Sequence, residues 1–439
     1  MKKVVKFGGS SVANAGQFKK VADIIKSDKS RRYIVVSAPG KSNAKDEKIT
    51  DLLYRLYDEI KAEKSYKKTL TAIRKKYTSI VDDLDLKFNV DYELDKIERD
   101  IKEGAGRDYA ASRGEYLCAH MMAEFLGFRF VDSAELIFFN DDGTVDYEKT
   151  YDETAKTLEN VNKAVIPGFY GSLSDGSVKT FTRGGSDVTG SLIAKAVTAD
   201  TYENWTDVSG FMVADPRIVK NPKVIETVTY SELRELSYMG ASVLHEDAFF
   251  PVRKEGIPIH IKNTNEPDAP GTLIVESTCK SSKYTVTGIA GKKGFCSVNI
   301  DQPMMNSEVG FCMNVLKVFA DNGLNIEHMP SGIDTMSVFV HQSEFEDKEQ
   351  QIISGIHRAV RPDSVIVDTG IALIAVVGRG MKSVHGTAGR IFSALAHAGV
   401  NIKMIDQGSS ELNIIIGVND SDFDTAIRAI YDIFVVTEE

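Results

Sequence analysis

Lys6 opens the run KFGGSS, with Gly8, Gly9 and Ser10 just beyond it and the β-branched pair Val4-Val5 just before. A strand that ends in paired glycines ahead of a helix leaves backbone N–H groups free in a concave turn, and phosphate oxygens suit such a turn. Lys6 would add a compact full charge aimed at the same oxygens. The run is not a P-loop: no G-x-x-x-x-G-K-S occurs, and its nearest imitation, Gly40-Lys41-Ser42, has Val35 where the first glycine belongs. An ordinary turn between strand and helix uses the same glycines, so this motif alone leaves both readings open. A second cluster, TFTRGGSDVTG at 180–190, again sets a glycine pair between a strand and a helix. Its Arg183 supplies a planar fork suited to a carboxylate, and Ser186 and Asp187 fall where a helix N-cap is expected. A capping motif with a surface arginine is the plain alternative. Two Gly-Gly turns in one sheet, each with cationic and hydroxyl groups, favour an anion site more strongly than either motif does alone. The third stretch, NWTDVSGFMVADPRIV at 204–219, holds the only tryptophan and by itself reads as a turn-rich loop.

The elements that must position these groups follow from the alternation of short β-branched runs with helical segments. VVKF, a helix over 17–27 and YIVVSA at 33–38 predict βαβ units and a parallel sheet. The proline-free stretch from Thr50 to Leu126, rich in Leu, Lys, Glu and Tyr, reads as a mainly helical insertion or lid-like layer. Strands resume at FRFVDSAELIF, AVIPGFYGS and SVKTFT, and a small-residue helix is expected over 186–199. Thr229 and Glu232 form a T-x-x-E capping box for a further helix, which the proline-bearing segment NTNEPDAPGT at 263–272 follows. Beyond it lies an internal repeat. Gly310 and Gly386, Gly323 and Gly399, Asn325 and Asn401, and Ser337 and Asn413 are all separated by 76 residues. Each copy has a helix ending in a G-[LV]-N-I turn, which predicts two β-α-β-β modules of about 70 residues, each too small to bury much core without the other.

Composition narrows the function class. A chain of 439 residues with 42% hydrophobic content holds two or three domains with sizeable cores. A net charge of −10 argues against nucleic acid or a membrane surface as partner, since either needs a concentrated excess of Lys and Arg. Four cysteines without a C-x-x-C pair read as reduced thiols of a cytoplasmic protein. The two apolar residues ahead of Lys6 are too few for a signal peptide, and the longest aliphatic run, Ile371 to Val377, is too short to span a bilayer.

Taken in order, KFGGSSV, VVSA with a downstream KITDLL, GEYL, TRGGSD, WTDVSGFMVADPR and GASVLH, followed by the repeat, resemble the aspartokinases of the amino acid kinase family over essentially the whole chain. The resemblance implies an α/β parallel-sheet sandwich of the amino acid kinase type over 1–280, then two α+β, ferredoxin-like ACT modules at 285–365 and 366–439. It implies ATP-dependent phosphorylation of the side-chain carboxylate of L-aspartate, the first step towards lysine, threonine and methionine, with ATP and Mg2+ as cofactors and no residue set aside as a metal ligand. By the same resemblance Lys6 contacts the transferring phosphoryl group, Gly8, Gly9 and Ser10 line its oxygen pocket, and Asp187 organises the lysine. Ser37, Thr50, Glu115, Phe169, Arg183 and Ser186 are the substrate set, with Glu115 receiving the ammonium group and Arg183 clamping a carboxylate. Thr206, Asp207, Met212, Arg217 and Ser242 are the nucleotide set.

Two departures from the family pattern concern that last set. Phe211-Met212 displaces the usual aromatic, and Ser242 replaces a lysine, for which Arg253, Lys254 and Lys262 are candidate substitutes. The implied effector pocket holds Met305, Ser307, Phe311, Ile333, Asp334, Thr335 and Ser337, with lysine placed ahead of threonine as effector. A homodimer or tetramer assembled through the ACT modules is expected. Ser242 keeps open an amino-acid sensor without kinase activity, and a related carboxylate kinase is a further alternative that Glu115 restricts to acceptors with a free ammonium group.

Overall fold

Val4, Val5 and Phe7 are fully buried and begin the first strand of a large sheet. The computed structural model describes the chain apart from residues 44–45, 183, 242–247, 279–284 and 437–439. Two compact units emerge, the first comprising Met1–Phe211, Glu226–Tyr230 and Val243–Thr278. Its strands are β1 (Lys3–Phe7), β2 (Arg31–Val36), β3 (Arg129–Phe130), β4 (Ala164–Pro167), β5 (Tyr170–Ser172), β6 (Val178–Thr180), β7 (Thr201–Thr206), β8 (Thr227–Thr229), β9 (Ile259–Asn263) and β10 (Thr272–Val275). Eight of them form one sheet in the order β3-β4-β2-β1-β7-β9-β10-β8, while β5 and β6 make a separate hairpin. Every pairing in the large sheet is parallel except β9 with β10. Of the run FRFVDSAELIF only Arg129–Phe130 is a regular strand; a 3-10 turn at Ser133–Glu135 follows, capped by the Asp132 side chain.

Helices of this unit are α1 (Ala15–Ser27), α2 (Ile49–Lys61), α3 (Lys67–Leu84), α4 (Val90–Glu103), α5 (Arg107–Leu126), α6 (Tyr147–Leu158) and α7 (Gly185–Ala196). Then come α8 (Tyr230–Tyr238), of which only Tyr230 belongs here, and the single turn α9 (Phe250–Arg253). The helical stretch expected from Thr50 onward is α2 to α5, and it is a packed layer. Leu53, Ile73, Tyr77, Leu94, Ile97 and Leu117 share one core with Val5, Phe7, Ile34 and Val36 of the sheet. Burying side chains of that size stabilises by about 2 kcal/mol each, so these helices are integral to the unit.

The second unit comprises Met212–Ile225, Ser231–Ser242 and Cys279–Glu439. Its strands are β11 (Gly288–Asp301), β12 (Thr335–His341), β13 (Ser364–Val377), β14 (Met404–Asp406) and β15 (Asn413–Asn419). Its further helices are α10 (Phe311–Asp321), α11 (Gln342–Phe345), α12 (Glu349–Val360), α13 (Thr387–His397) and α14 (Phe423–Tyr431). The repeat glycines work as expected: Gly310 and Gly386, at φ 88° and 82°, precede α10 and α13, and Gly323 and Gly399, at φ 64° and 71°, follow them. The sheet runs β12-β11-β13-β15-β14, antiparallel throughout. Both β11 and β13 are long enough to serve two halves. Residues 295–301 of β11 pair with the first part of β13, and residues 288–292 pair with its last part, 373–377.

Candidate active site

The parallel register of β1 with β7 sets Lys6 opposite Asn204, so both side chains leave the same face of the sheet. That face is covered by α7. The Lys6 ammonium lies 2.6 Å from Asp187 Oδ1, and Asn204 Nδ2 donates to the same oxygen at 2.8 Å. Two residues earlier on β7, the Tyr202 hydroxyl donates to the Asp187 carbonyl at 3.1 Å. Asp187 and Ser186 lie inside the first turn of α7 and do not cap it. The N-cap is Gly184, at φ 57°, because its left-handed backbone lets the helix begin at Gly185. Arg183, the expected carboxylate clamp, lies outside the described residues.

Beyond Lys6 the chain turns through Gly8 into a 3-10 turn, Gly9–Val12. The Gly8 N–H is spent on the Trp205 carbonyl at 3.0 Å, whereas those of Gly9 and Ser10 make no hydrogen bond among the described residues. A second loop, Ser37 to Gly40, closes on this turn from the end of β2. Ser37 N–H reaches the Phe7 carbonyl at 3.1 Å and Gly40 N–H the Gly9 carbonyl at 2.8 Å. A Cβ at Gly40 would sit 2.6 Å from the Gly9 carbonyl carbon, so only glycine fits. The same loop borders Glu115 on α5, whose carboxyl takes a hydrogen bond from the Ala38 backbone. Glu115 is 5% exposed and its Oε2 has no partner. Burial pushes its pKa up to about 8, against the weaker opposing pull of that amide and of Arg113.

Phe169 follows β4, two residues past Pro167, with φ at 80°, a left-handed backbone that costs a non-glycine residue of order 1 kcal/mol or more. It is held there by Thr189 Oγ1, which accepts from its N–H at 3.0 Å, and by Phe181, whose N–H donates to its carbonyl at 3.0 Å. Ser186 is buried against Gly168, where a Cβ would come within 2.6 Å of the serine side chain. Thr50 sits half-buried in the first turn of α2, and no hydrogen bond among the described residues ties its side chain to the others. Ser37, Gly168-Phe169 and Thr206-Asp207 therefore stand with Gly8 beyond the carboxyl ends of four parallel strands, where open α/β sheets receive their ligands.

On the nucleotide side, Thr206 closes β7 and its hydroxyl donates to the exposed Asp207 at 3.2 Å. Phe211 is 2% exposed, its N–H bonded to Thr272 Oγ1, so its ring is core and unavailable to adenine. Met212 and Arg217 belong to the second unit. There Met212 bridges Val224, and exposed Arg217 is forked onto Asp215 at 2.6 Å and 3.0 Å. Ser242 lies outside the described residues. Of its candidate substitutes, Lys262 is paired in register with Trp205 and its ammonium lies over that ring, on the face away from Lys6. Burial lowers its pKa. Arg253 is ion-paired with Glu276 at 3.2 Å, and Lys254 is exposed at the end of α9.

The residues assigned to an effector separate by strand alternation. Met305 and Phe311 are buried in the core beneath α10 and α12, together with Met336 and Val338. Thr335 and Ser337 point from the other face of β12 and line a cavity of about 290 Å3 with Ser297, Asn299 and Lys403. The two loops are nonetheless joined: Met304 N–H donates to the Asp334 carboxylate at 2.7 Å and Asn306 N–H to the Ile333 carbonyl at 3.2 Å. Ser307 and Ile333 are exposed. Ser37 was legible in the sequence, whereas Asn204 and the packing of Gly40 on the Gly9 carbonyl were not. For Asn204 the available signal was its spacing of two from Tyr202 in a strand.

Known proteins resemble this chain over nearly its whole length. The amino acid kinase family model matches residues 1–263 and an ACT domain model matches 374–434. Aspartokinase 3 of Bacillus subtilis is 39% identical over 98% of both chains, and chloroplastic aspartokinase 1 of Arabidopsis thaliana is 30% identical over 98% of this chain and 80% of its own. The crystal structure of Clostridium acetobutylicum aspartate kinase is similar at a TM-score of 0.90 and 51% identity, covering 99% of this chain and 100% of that one. E. coli aspartokinase III in complex with aspartate and ADP gives a TM-score of 0.71 at 25% identity, covering 99% of both chains. With the sheet, the Lys6–Asp187 pair and the doubled antiparallel module already in place, the chain belongs to the aspartokinases, within the amino acid kinase family.

Proposed function

We propose that this chain transfers the terminal phosphoryl group of ATP to the side-chain carboxylate of L-aspartate, giving 4-phospho-L-aspartate and ADP. The carrying observation is a two-sided site around one loop: Ser37–Gly40 packs on the Lys6–Gly9 turn at one end and on the Glu115 carboxyl, whose Oε2 is unpartnered, at the other. Lys6 and the free N–H groups of Gly9 and Ser10 suit phosphoryl oxygens, and the unpartnered Glu115 oxygen suits an ammonium group. The acceptor carboxylate has a solution pKa of about 3.9 and is already ionised, so no general base is required. One of its oxygens forms the new bond to phosphorus while the bond to the bridging β,γ-oxygen breaks and ADP leaves. The barrier is repulsion between anions, which in-line positioning and fixed positive charge reduce. Mg2+, arriving with ATP, supplies further charge to the phosphates.

The aspartate and ADP complex of E. coli aspartokinase III supports these substrates, and its complex with lysine and aspartate supports an amino-acid effector. Lysine, ahead of threonine, would bind at the joined loops 304–307 and 333–337 of the first ACT half, restraining an enzyme that starts the route to lysine, threonine and methionine. The acidic chain and the free thiols of Cys118, Cys296 and Cys312 fit a cytoplasmic homodimer or tetramer. The test is coupled ADP release by the purified protein with Mg2+: it should require L-aspartate, exceed the rate with L-glutamate, and fall at least about a hundredfold in Lys6→Ala. No aspartate-dependent release at millimolar substrate would sink the reading.

A further inference from the structure

Asn204 is a carboxamide on the covered face of a central strand. It is 4% exposed, and its cross-strand neighbours are Lys6 on β1 and Ile261 on β9. A buried amide is tolerated only when its hydrogen bonds are made. Its side-chain donor goes to Asp187 Oδ1, the oxygen that also receives Lys6. We infer that Asn204 is a positioning residue for phosphoryl transfer, holding the Asp187 carboxylate in place while Lys6 is drawn towards the phosphoryl group. The inference rests on the role given to Lys6 above.

The physical need arises from charge. Lys6 alone would divide its attraction between Asp187 and an arriving phosphoryl anion, and its bond to Asp187 would weaken as the reaction proceeds. Asp187 is 19% exposed at its side chain, so water stands ready to turn a loosened carboxylate outward. The neutral Asn204 amide is not drawn away by an anion, and its bond stays put. Together with the Tyr202 hydroxyl on the Asp187 carbonyl, β7 grips one residue of α7 at two points, its main chain and its carboxylate. The lysine then always returns to the same place.

The experiment compares steady-state kinetics of the parent, Asn204→Leu and Asn204→Asp across pH 6 to 8, with melting followed by circular dichroism. Asn204→Leu should lower kcat about tenfold, the scale of one hydrogen bond to a charged group, leave the KM for aspartate within about twofold, and melt no lower than the parent. Asn204→Asp sets a second carboxylate against Asp187. Its kcat relative to the parent should rise as pH falls, because a protonated carboxyl donates again. Unchanged kcat in Asn204→Leu, or an Asn204→Asp profile parallel to the parent's, would overturn the inference while leaving the phosphotransfer reading intact. A parent that releases no aspartate-dependent ADP overturns both.

Discussion

Glu115 ties substrate binding and stability to pH in opposite directions. An acceptor ammonium needs the Glu115 carboxylate, yet burial lifts this group from the ordinary 4.5 to about 8, so the free protein holds it neutral at pH 7. Binding the ammonium must then expel a proton. The KM for aspartate should therefore fall as pH rises from about 6.5, by up to tenfold per pH unit, and level off above about 8.5. Stability moves the other way. A folded-state pKa above the unfolded one favours the fold fully below the unfolded value, and that gain is lost as pH rises through 8. The ligand-free chain is thus least helped by Glu115 where the substrate is bound best. Initial rates against aspartate at pH 6 to 9 check this, with Glu115→Gln expected to raise KM and flatten its profile. A flat profile in the parent would show that the ammonium has another partner.

At the scale of elements, the phosphate turn depends on a loop thirty residues away. Gly40 abuts the Gly9 carbonyl and the Ser10 nitrogen so closely that a Cβ would meet backbone at 2.6 to 2.9 Å. Backbone cannot give way as a side-chain end can. Gly40→Ala should weaken ATP binding severalfold and lower stability by about 1–3 kcal/mol, read from the KM for ATP and a thermal melt. The control is Gly389→Ala, inside α13 with open space around it, which should be neutral or stabilising by about 0.5–1 kcal/mol. Such a contact explains what sequence could and could not reveal. β1, α1 and β2 were legible because Val4, Val5, Phe18, Val21 and Ile25 carry their own periodicity, and the Gly8-Gly9 turn because glycines punctuate it. The closing of Gly40 on Gly9 is a long-range packing event with no local signature. The start of α7 was misplaced by a residue because a left-handed Gly184 acts as the cap in place of a side chain. Asn204 looked like the edge of a loop, since nothing near it in sequence announces that its partner is Asp187.

Across the second unit, the repeat of 76 residues was visible in Gly310 and Gly386, but the sharing of strands was not. A repeat reports that two segments fold alike, whereas pairing depends on which edges meet. Here β11 runs along both parts of β13, so the half built on β15 and β14 is completed by residues 288–292, far upstream of it in the chain. Neither half can lose its packing without releasing a strand that the other half needs, and cooperativity should follow. Phe319, on the buried face of α10, and Ile416, in β15, are both fully buried but sit in different halves. Truncating either should cost about 2–5 kcal/mol through lost burial and the cavity left behind. In scanning calorimetry of the full chain, Phe319→Ala and Ile416→Ala should lower one and the same transition by similar amounts, with that transition remaining single. Two separable transitions, each answering to only one of the substitutions, would show that the shared strands do not bind the halves into one folding unit.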